Sequence, residues 1–175
     1  LVDITRMVQR RNGTNPSPAT HPLRVGVFGG AFDPPHMAHV QLAQCALTQF
    51  NLDRLHVIPT GQAWHKARTL TPSPDRLAMT RLAFADIPRV WVDPREIERE
   101  GPTYTVETLA SLGAEFPGAA LFLFIGADQA EAFQTWHRWQ DILKMATVVV
   151  AAWEGDIDRD RAHAVLDGHP VKELA

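Results

Sequence analysis

From Leu23 onward, short apolar runs alternate with stretches whose apolar residues recur every three or four positions. The runs predict strands over Arg24–Phe28, Leu55–Pro59, Val90–Val92, Ala120–Gly126 and Thr147–Ala152. Val25-Gly26-Val27-Phe28, Leu121-Phe122-Leu123-Phe124-Ile125 and Val148-Val149-Val150 are apolar nearly throughout, the pattern of strands covered on both faces. Between them, Val40, Ala43, Leu47 and Phe50 have helical spacing. Ser73-Pro74-Asp75 reads as a helix start with Ser73 as the cap, followed by a stripe of Leu77, Met79, Leu82 and Ala83. Thr105 opens a third helix with Val106, Leu109, Ala110 and Leu112, and Asp128-Gln129-Ala130-Glu131 starts a fourth with capping-box character. Strands alternating with helices predict an α/β fold, an open parallel sheet with helices on both faces. Ligands of such sheets sit beyond the carboxyl ends of the strands, where strand order reverses.

Leu1 to Pro22 differs: Arg10-Arg11-Asn12-Gly13-Thr14-Asn15-Pro16-Ser17-Pro18 is polar, turn-rich and aperiodic. Residues 1–22 are expected to form a flexible arm, because they offer little apolar surface to offset ordering entropy. Residues 23–175 are expected to form a single domain.

The densest chemistry follows the first strand, in Gly29-Gly30-Ala31-Phe32-Asp33-Pro34-Pro35-His36-Met37-Ala38-His39. Two glycines after a buried strand let a phosphate approach the backbone. A helix beginning near Pro35 or His36 would aim its free N–H groups and positive dipole end at the same space. His36 and His39 would share one face of that helix. The pair could also ligate a metal, but the dipole repels cations and no third ligand lies at a suitable spacing, so an anion site is the stronger reading.

Composition narrows the class. The 175 residues are 45% hydrophobic and 21% charged, with a formal net charge of −3. That balance lacks the basic footprint of a nucleic-acid partner or of attraction to an anionic membrane. A single cysteine, Cys45, excludes an internal disulfide and fits a reducing cytoplasm. No apolar run approaches the ~20 residues of a membrane-spanning helix, and the first residues lack a secretory apolar core. Self-association stays open.

Gly30-Ala31-Phe32-Asp33-Pro34-Pro35-His36-Met37-Ala38-His39 resembles the GxFDPxHxGH signature of the HxGH-motif nucleotidyltransferases. Ala31 stands where Thr or Ser is common, and Ala38 replaces the Gly of HxGH. Ile58 to Lys66, with Arg76-Leu77-Ala78-Met79, resembles the substrate loop and following helix of bacterial nicotinate-nucleotide adenylyltransferases. Glu96-Ile97-Glu98-Arg99-Glu100-Gly101-Pro102-Thr103-Tyr104-Thr105-Val106-Glu107-Thr108-Leu109 is similar to that family's Tyr-Thr segment, and Gly126-Ala127-Asp128 with Trp136 to its Gly-[Ala/Ser]-Asp…Trp stretch. The likeness runs from about Arg24 to Val150.

The resemblance implies a Rossmann-like sheet of the HxGH nucleotidyltransferase type and adenylyl transfer from ATP to nicotinate mononucleotide in NAD synthesis. It implies an ATP side of Gly29, Gly30, Ala31, Phe32, His36, His39, Gly126 and Asp128, with His36, His39 and Lys66 as catalytic groups. Lys66, Tyr104, Thr105, Trp136 and His137 would serve the substrate. Such chemistry needs no protein nucleophile, only positioning and charge neutralisation. The histidines would donate to ATP phosphates, which favour their protonated forms. Trp136 would stack on the pyridine ring, and Thr105 at its helix opening would receive the carboxylate. Mg²⁺ would travel with ATP and need no carboxylate cage. Plainer roles exist for several: Asp128 as a helix cap, Trp136 as packing, Lys66 as a solvated loop residue, Glu98 and Arg99 as a surface charge pair.

Relatives of this kind usually continue with an Arg-Pro-Gly turn and a serine/threonine-rich phosphate motif. Here the chain reads Ala151-Ala152-Trp153-Glu154-Gly155 and ends at Lys172-Glu173-Leu174-Ala175 without that motif. Two other readings therefore stand beside the first. One is an adenylyltransferase for another phosphorylated substrate, nicotinamide mononucleotide or phosphopantetheine. The other is a catalytically impaired nucleotide-binding module.

Overall fold

The computed structural model describes residues 21–61, 69–151 and the backbone of 172–174. The expected arm lies outside them apart from its last two residues, as do Lys66 and Trp153. The strands are β1 (Arg24–Gly30), β2 (Arg54–Pro59), β3 (Val90–Val92), β4 (Ala120–Gly126), β5 (Ala146–Ala151) and β6 (Lys172–Leu174). They form one sheet in the order β3-β2-β1-β4-β5-β6, with every pairing parallel. The sheet thus holds six strands rather than the expected five. A three-residue polar segment such as Lys172-Glu173-Leu174 carries no apolar run by which to find it.

The helices are α1 (Met37–Gln49), α2 (Ser73–Phe84), α3 (Arg95–Glu98), α4 (Thr105–Glu115), α5 (Ala127–Glu131) and α6 (Trp139–Met145), with a 3₁₀ turn over Phe133–Thr135. The two-sided burial is visible in β4. Leu121, Leu123 and Ile125 pack with Leu109 and Leu112 of α4 and Ile142 of α6. Phe122 and Phe124 pack on the other face with Ala43, Ala46 and Leu47 of α1 and Phe84 of α2. Burying each such Leu, Ile or Phe contributes about 1.5–3 kcal/mol. Among the described residues no helix is long and apolar enough to cross a membrane.

Helix α2 departs from its expected face. Its buried residues are Arg76, Thr80 and Phe84, one turn apart, while Leu82 is 79% exposed. Pro72 is the cap, and Ser73 instead accepts a bond from the Arg76 guanidinium. The apolar stripe misled because two polar side chains find backbone acceptors inside: Thr80 bonds the Arg76 carbonyl, and Arg76 bonds several loops. In α4, Thr108 joins Val106, Leu109 and Leu112 in the buried set, and Ala110 faces out.

The chain runs outward from β1 through β2 to β3, then crosses back over the sheet to β4 on the other side of β1. Strand order therefore reverses between β1 and β4, the place where ligands of open α/β sheets bind.

Candidate active site

At the carboxyl end of β1, Gly29 and Gly30 are still strand residues, and Thr60 N–H donates to the Gly30 carbonyl at 2.8 Å. Phe32 follows in a left-handed conformation (φ 47°) and turns its ring inward, where it is 2% exposed. It packs edge-on against Phe28, Phe84 and His39. Phe32's ring is therefore a buried prop beneath the loop, so only its backbone is left to face a ligand.

His36 is the N-cap of α1 in extended backbone geometry. Its own N–H donates to Nδ1 of His39 at 3.1 Å. The two imidazoles stack at 3.9 Å, and His39 also contacts the Phe28 ring at 5.9 Å. With Nδ1 taken by an amide, the neutral ring of His39 carries its proton on Nε2. Burial, and next the neighbouring His36, lower the His39 pKa to about 4. In the ligand-free protein His39 thus offers a neutral N–H donor at neutral pH; the expected protonation concerned the ring beside bound phosphate. One amide expected for the anion is spent on this bond.

A cavity of about 820 Å³ opens at the reversal point between β1 and β4. Gly29, Gly30 and Ala31 line one side, and Tyr104, Thr105, Asp128, Trp136 and His137 line the other. Eight of the expected site residues, drawn from both halves, thus line one space. His36, His39, Phe32 and Gly126 are not part of its lining; Phe32's ring lies 3.4 Å from where a Cβ on Gly30 would sit, and His39 rests on Phe32. Gly126, not Asp128, caps α5. Its N–H donates to the Gln129 side chain at 3.0 Å, which leaves Asp128 on the cavity wall instead of at the cap.

The opposite wall is aromatic. Tyr104, the N-cap of α4, lies 4.3 Å from His137 between ring centres, and Trp136 packs on buried Phe133 at 5.2 Å. Trp136 is only half-buried, so its packing on Phe133 and an exposed face toward a ligand coexist. Thr105 is the first residue of α4, an eleven-residue helix whose amino end meets the cavity.

Three residues without an expected role also matter here. Glu96 of α3 lines the cavity and accepts the Thr108 hydroxyl at 3.2 Å. Burial pushes its carboxyl up to about 7, against partial relief from Thr108 and Arg99. Beside it, the buried Thr103 hydroxyl has no hydrogen-bond partner in the protein, although it borders the cavity. Arg99 pairs with Glu107 at 3.6 Å, so the expected Glu98–Arg99 pair gives way to one reaching α4. The third is Arg76, a 1%-exposed guanidinium bonded to loop carbonyls. Glu96 is partly buried, and nothing in the spacing of the Glu-x-x-Arg segment reveals that.

Among the described residues no three His, Cys, Asp or Glu side chains come together to hold a metal ion.

Residues 27–165 match the cytidylyltransferase-like family model. A "probable nicotinate-nucleotide adenylyltransferase" of Albidiferax ferrireducens is 59% identical over 128 residues, 73% of this chain and 65% of that protein. One of the same name from Methylibium petroleiphilum is 43% identical over 151 residues, 86% of this chain and 71% of that one. The chain thus spans about two thirds of the length of these relatives. In fold it is similar to a Plasmodium falciparum nicotinic acid mononucleotide adenylyltransferase complexed with NaAD, with a TM-score of 0.72 and 14% identity over 87% of this chain and 75% of that one.

Proposed function

The chain belongs to the cytidylyltransferase-like family, and from that premise we propose that it transfers the adenylyl group of ATP to the phosphate of nicotinate mononucleotide, a step of NAD synthesis. The observation that carries this reading is the single cavity that sets the Gly29–Ala31 end of β1 against the wall of Tyr104, Thr105, Trp136 and His137. The relatives' names support the choice of substrates.

In the proposed reaction an oxygen of the mononucleotide phosphate attacks the α-phosphorus of ATP. A phosphorus–oxygen bond forms, the bond to the β-phosphate oxygen breaks, and pyrophosphate leaves with that electron pair. The protein contributes placement and charge stabilisation, without a nucleophile of its own. ATP phosphates lie along Gly29, Gly30 and Ala31, where no side chain bars a close approach. His39 donates from Nε2 to a phosphate oxygen that gains charge in the transition state. A preorganised neutral donor serves there without first having to acquire a proton. His36 supports it twice, through the hydrogen bond its backbone N–H donates to Nδ1 and through the ring stack. Asp128 and Gly126 border the nucleoside side, and Lys66 is assigned to the reacting phosphates.

The pyridine ring lies against Trp136, Tyr104 and His137, with its carboxylate at the amino end of α4 near Thr105. The unpartnered Thr103 hydroxyl offers a further donor. Mg²⁺ would enter with ATP and would supply neutralisation of phosphate charge there. A cytoplasmic location goes with this reading, since both substrates are polyanions that do not cross membranes unaided.

The test is pyrophosphate release from ATP with nicotinate mononucleotide, nicotinamide mononucleotide or phosphopantetheine as acceptor. Turnover with the first, well above the other two, supports the reading. Preference for another acceptor replaces the substrate, and no turnover by the folded full-length protein with any of them leaves only a nucleotide-binding module.

A further inference from the structure

Arg76 has no role in the proposed chemistry, yet it is the largest fully buried side chain of the described residues. All five N–H donors of its guanidinium are engaged. Nε donates to the Thr71 carbonyl at 2.8 Å. Nη1 donates to two carbonyls, Ala31 at 3.0 Å and Thr60 at 2.7 Å. Nη2 donates to the Gly61 carbonyl and to the Ser73 hydroxyl, both at 3.1 Å. Asp33 is the nearby carboxylate, and its Oδ2 accepts the Thr71 N–H at 2.9 Å.

Two of these acceptors belong to residues on the cavity wall. Ala31 is the first residue after β1, and Thr60 is the first after β2. A single nitrogen bridges them, alongside the direct bond from Thr60 N–H to the Gly30 carbonyl. The next residue, Gly61, is pressed against α3: a Cβ there would collide with the Glu96 carbonyl. The guanidinium thus ties the β1 loop, the end of β2 with α3 behind it, and the start of α2 into one unit.

Burying a cation is costly, and an apolar side chain of similar volume often serves stability as well or better. A planar fork with five fixed donors supplies geometry that neither an apolar residue nor a lysine can reproduce. We infer that Arg76 is a positioning residue for the transfer reaction, pinning the Ala31 wall of the cavity to the Thr60–Gly61 wall so that the two substrates meet at the right separation. The inference rests on the proposed reaction. Misplacing reacting groups by about 1 Å costs on the order of 10²-fold in rate, so holding two walls together at their backbone is worth that much.

The test compares Arg76→Met and Arg76→Lys with Leu52→Ala, a buried core variant between α1 and β2 that bonds none of the Arg76 acceptors and loses stability by cavity formation. All three are assayed at a temperature where each is fully folded, with ATP and nicotinate mononucleotide. Arg76→Met is expected to lose about 10²-fold in kcat, with both KM values changing less than about 3-fold. Arg76→Lys, which keeps the charge but concentrates its donors at one point, is expected to lose about 10-fold. Leu52→Ala is expected to keep kcat within about 2-fold at a matched thermal midpoint.

Amide hydrogen exchange provides a readout free of substrate. The Thr60 and Thr71 amides should exchange about 10-fold faster in Arg76→Met, relative to the rest of the sheet, and unchanged in Leu52→Ala. Arg76→Lys remains assayable if the methionine variant does not fold. Wild-type kcat in Arg76→Lys, a kcat that simply follows thermal midpoint across all three proteins, or unaltered exchange at Thr60 and Thr71 would overturn the inference. If the wild type turns over none of the acceptors, the exchange experiment still decides whether Arg76 holds the two walls, separately from the identity of the reaction.

Discussion

Two histidines, His56 on strand β2 and His39 in the first turn of helix α1, stand in opposite conditions. His56 in β2 is 3% exposed and has both ring nitrogens occupied. Arg54 donates to its Nε2 at 2.9 Å, so Nδ1 carries the proton and donates to Asp93 at 2.7 Å. Asp93 in turn accepts the side chain and backbone of Arg95, which reaches on to Ser111 and Glu115. Arg54 lies over the rings of Trp91 and Phe116. His39 has one nitrogen filled, by a backbone amide, and its Nε2 has no hydrogen-bond partner among the described residues. Both regions bury comparable chemistry. Around His56 each polar group answers another and the carboxylate pKa is lowered by its partners despite burial. Around the cavity, burial dominates: His39 is pushed down, Glu96 is pushed up, and the Thr103 hydroxyl is unpaired. Satisfaction marks a structural network, and residual demand for partners marks a place for a ligand.

The largest expected effect that separates them is on turnover. His39→Ala should lower kcat by about 10²–10³-fold, the cost of removing one donor to a charge-gaining oxygen, and steady-state kinetics at neutral pH check it. Unchanged kcat would remove His39 from the mechanism and with it the contrast. His56→Ala should do the reverse. It should reduce unfolding free energy by about 1–3 kcal/mol, since Arg54 and Asp93 each lose a buried partner, with kcat preserved in the folded protein. Urea denaturation beside the same assay checks this.

A smaller effect sharpens the contrast through pH. With its carboxyl held at about 7 against an ordinary 4.5, folded Glu96 retains a proton that the unfolded chain releases in that interval. Its stabilising contribution is full below 4.5 and lost as pH rises through 7. For His39 the sign is opposite: with a pKa near 4 against an ordinary 6.5, its contribution is full above 6.5 and lost as pH falls through 4. Glu96→Gln should therefore gain stability relative to the wild type as pH rises from 4.5 to 7, measured by denaturation at several pH values. Parallel curves for the two proteins would show that Glu96 titrates as it does in water.

Much of this was legible in the residues. β3 and β4 have their expected bounds, and the Gly-Gly pair, still within β1, ends at the strand-order reversal. Apolar runs and helix-start signals depend on near neighbours, so a local reading finds them. What escaped depends on distant partners. Arg76 and Thr80 are buried because carbonyls receive them, and no apolar stripe can report that. Phe32 sits in a polar loop yet enters the core by a left-handed turn. The low pKa of His39 follows from its ring packing and the His36 stack, which spacing alone placed on one face without saying which state resulted. Glu96 carried no expected role, and only the fold of α3 sets it against Thr108.

The central claim is that the cavity joins an acceptor phosphate to the α-phosphorus of ATP. The most direct measurement uses nicotinate mononucleotide with ¹⁸O in its phosphate oxygens, followed by ³¹P NMR of the products. The account predicts ¹⁸O at the bridge of the new dinucleotide and none in pyrophosphate. Label in pyrophosphate, or no dinucleotide from the folded protein, would contradict it.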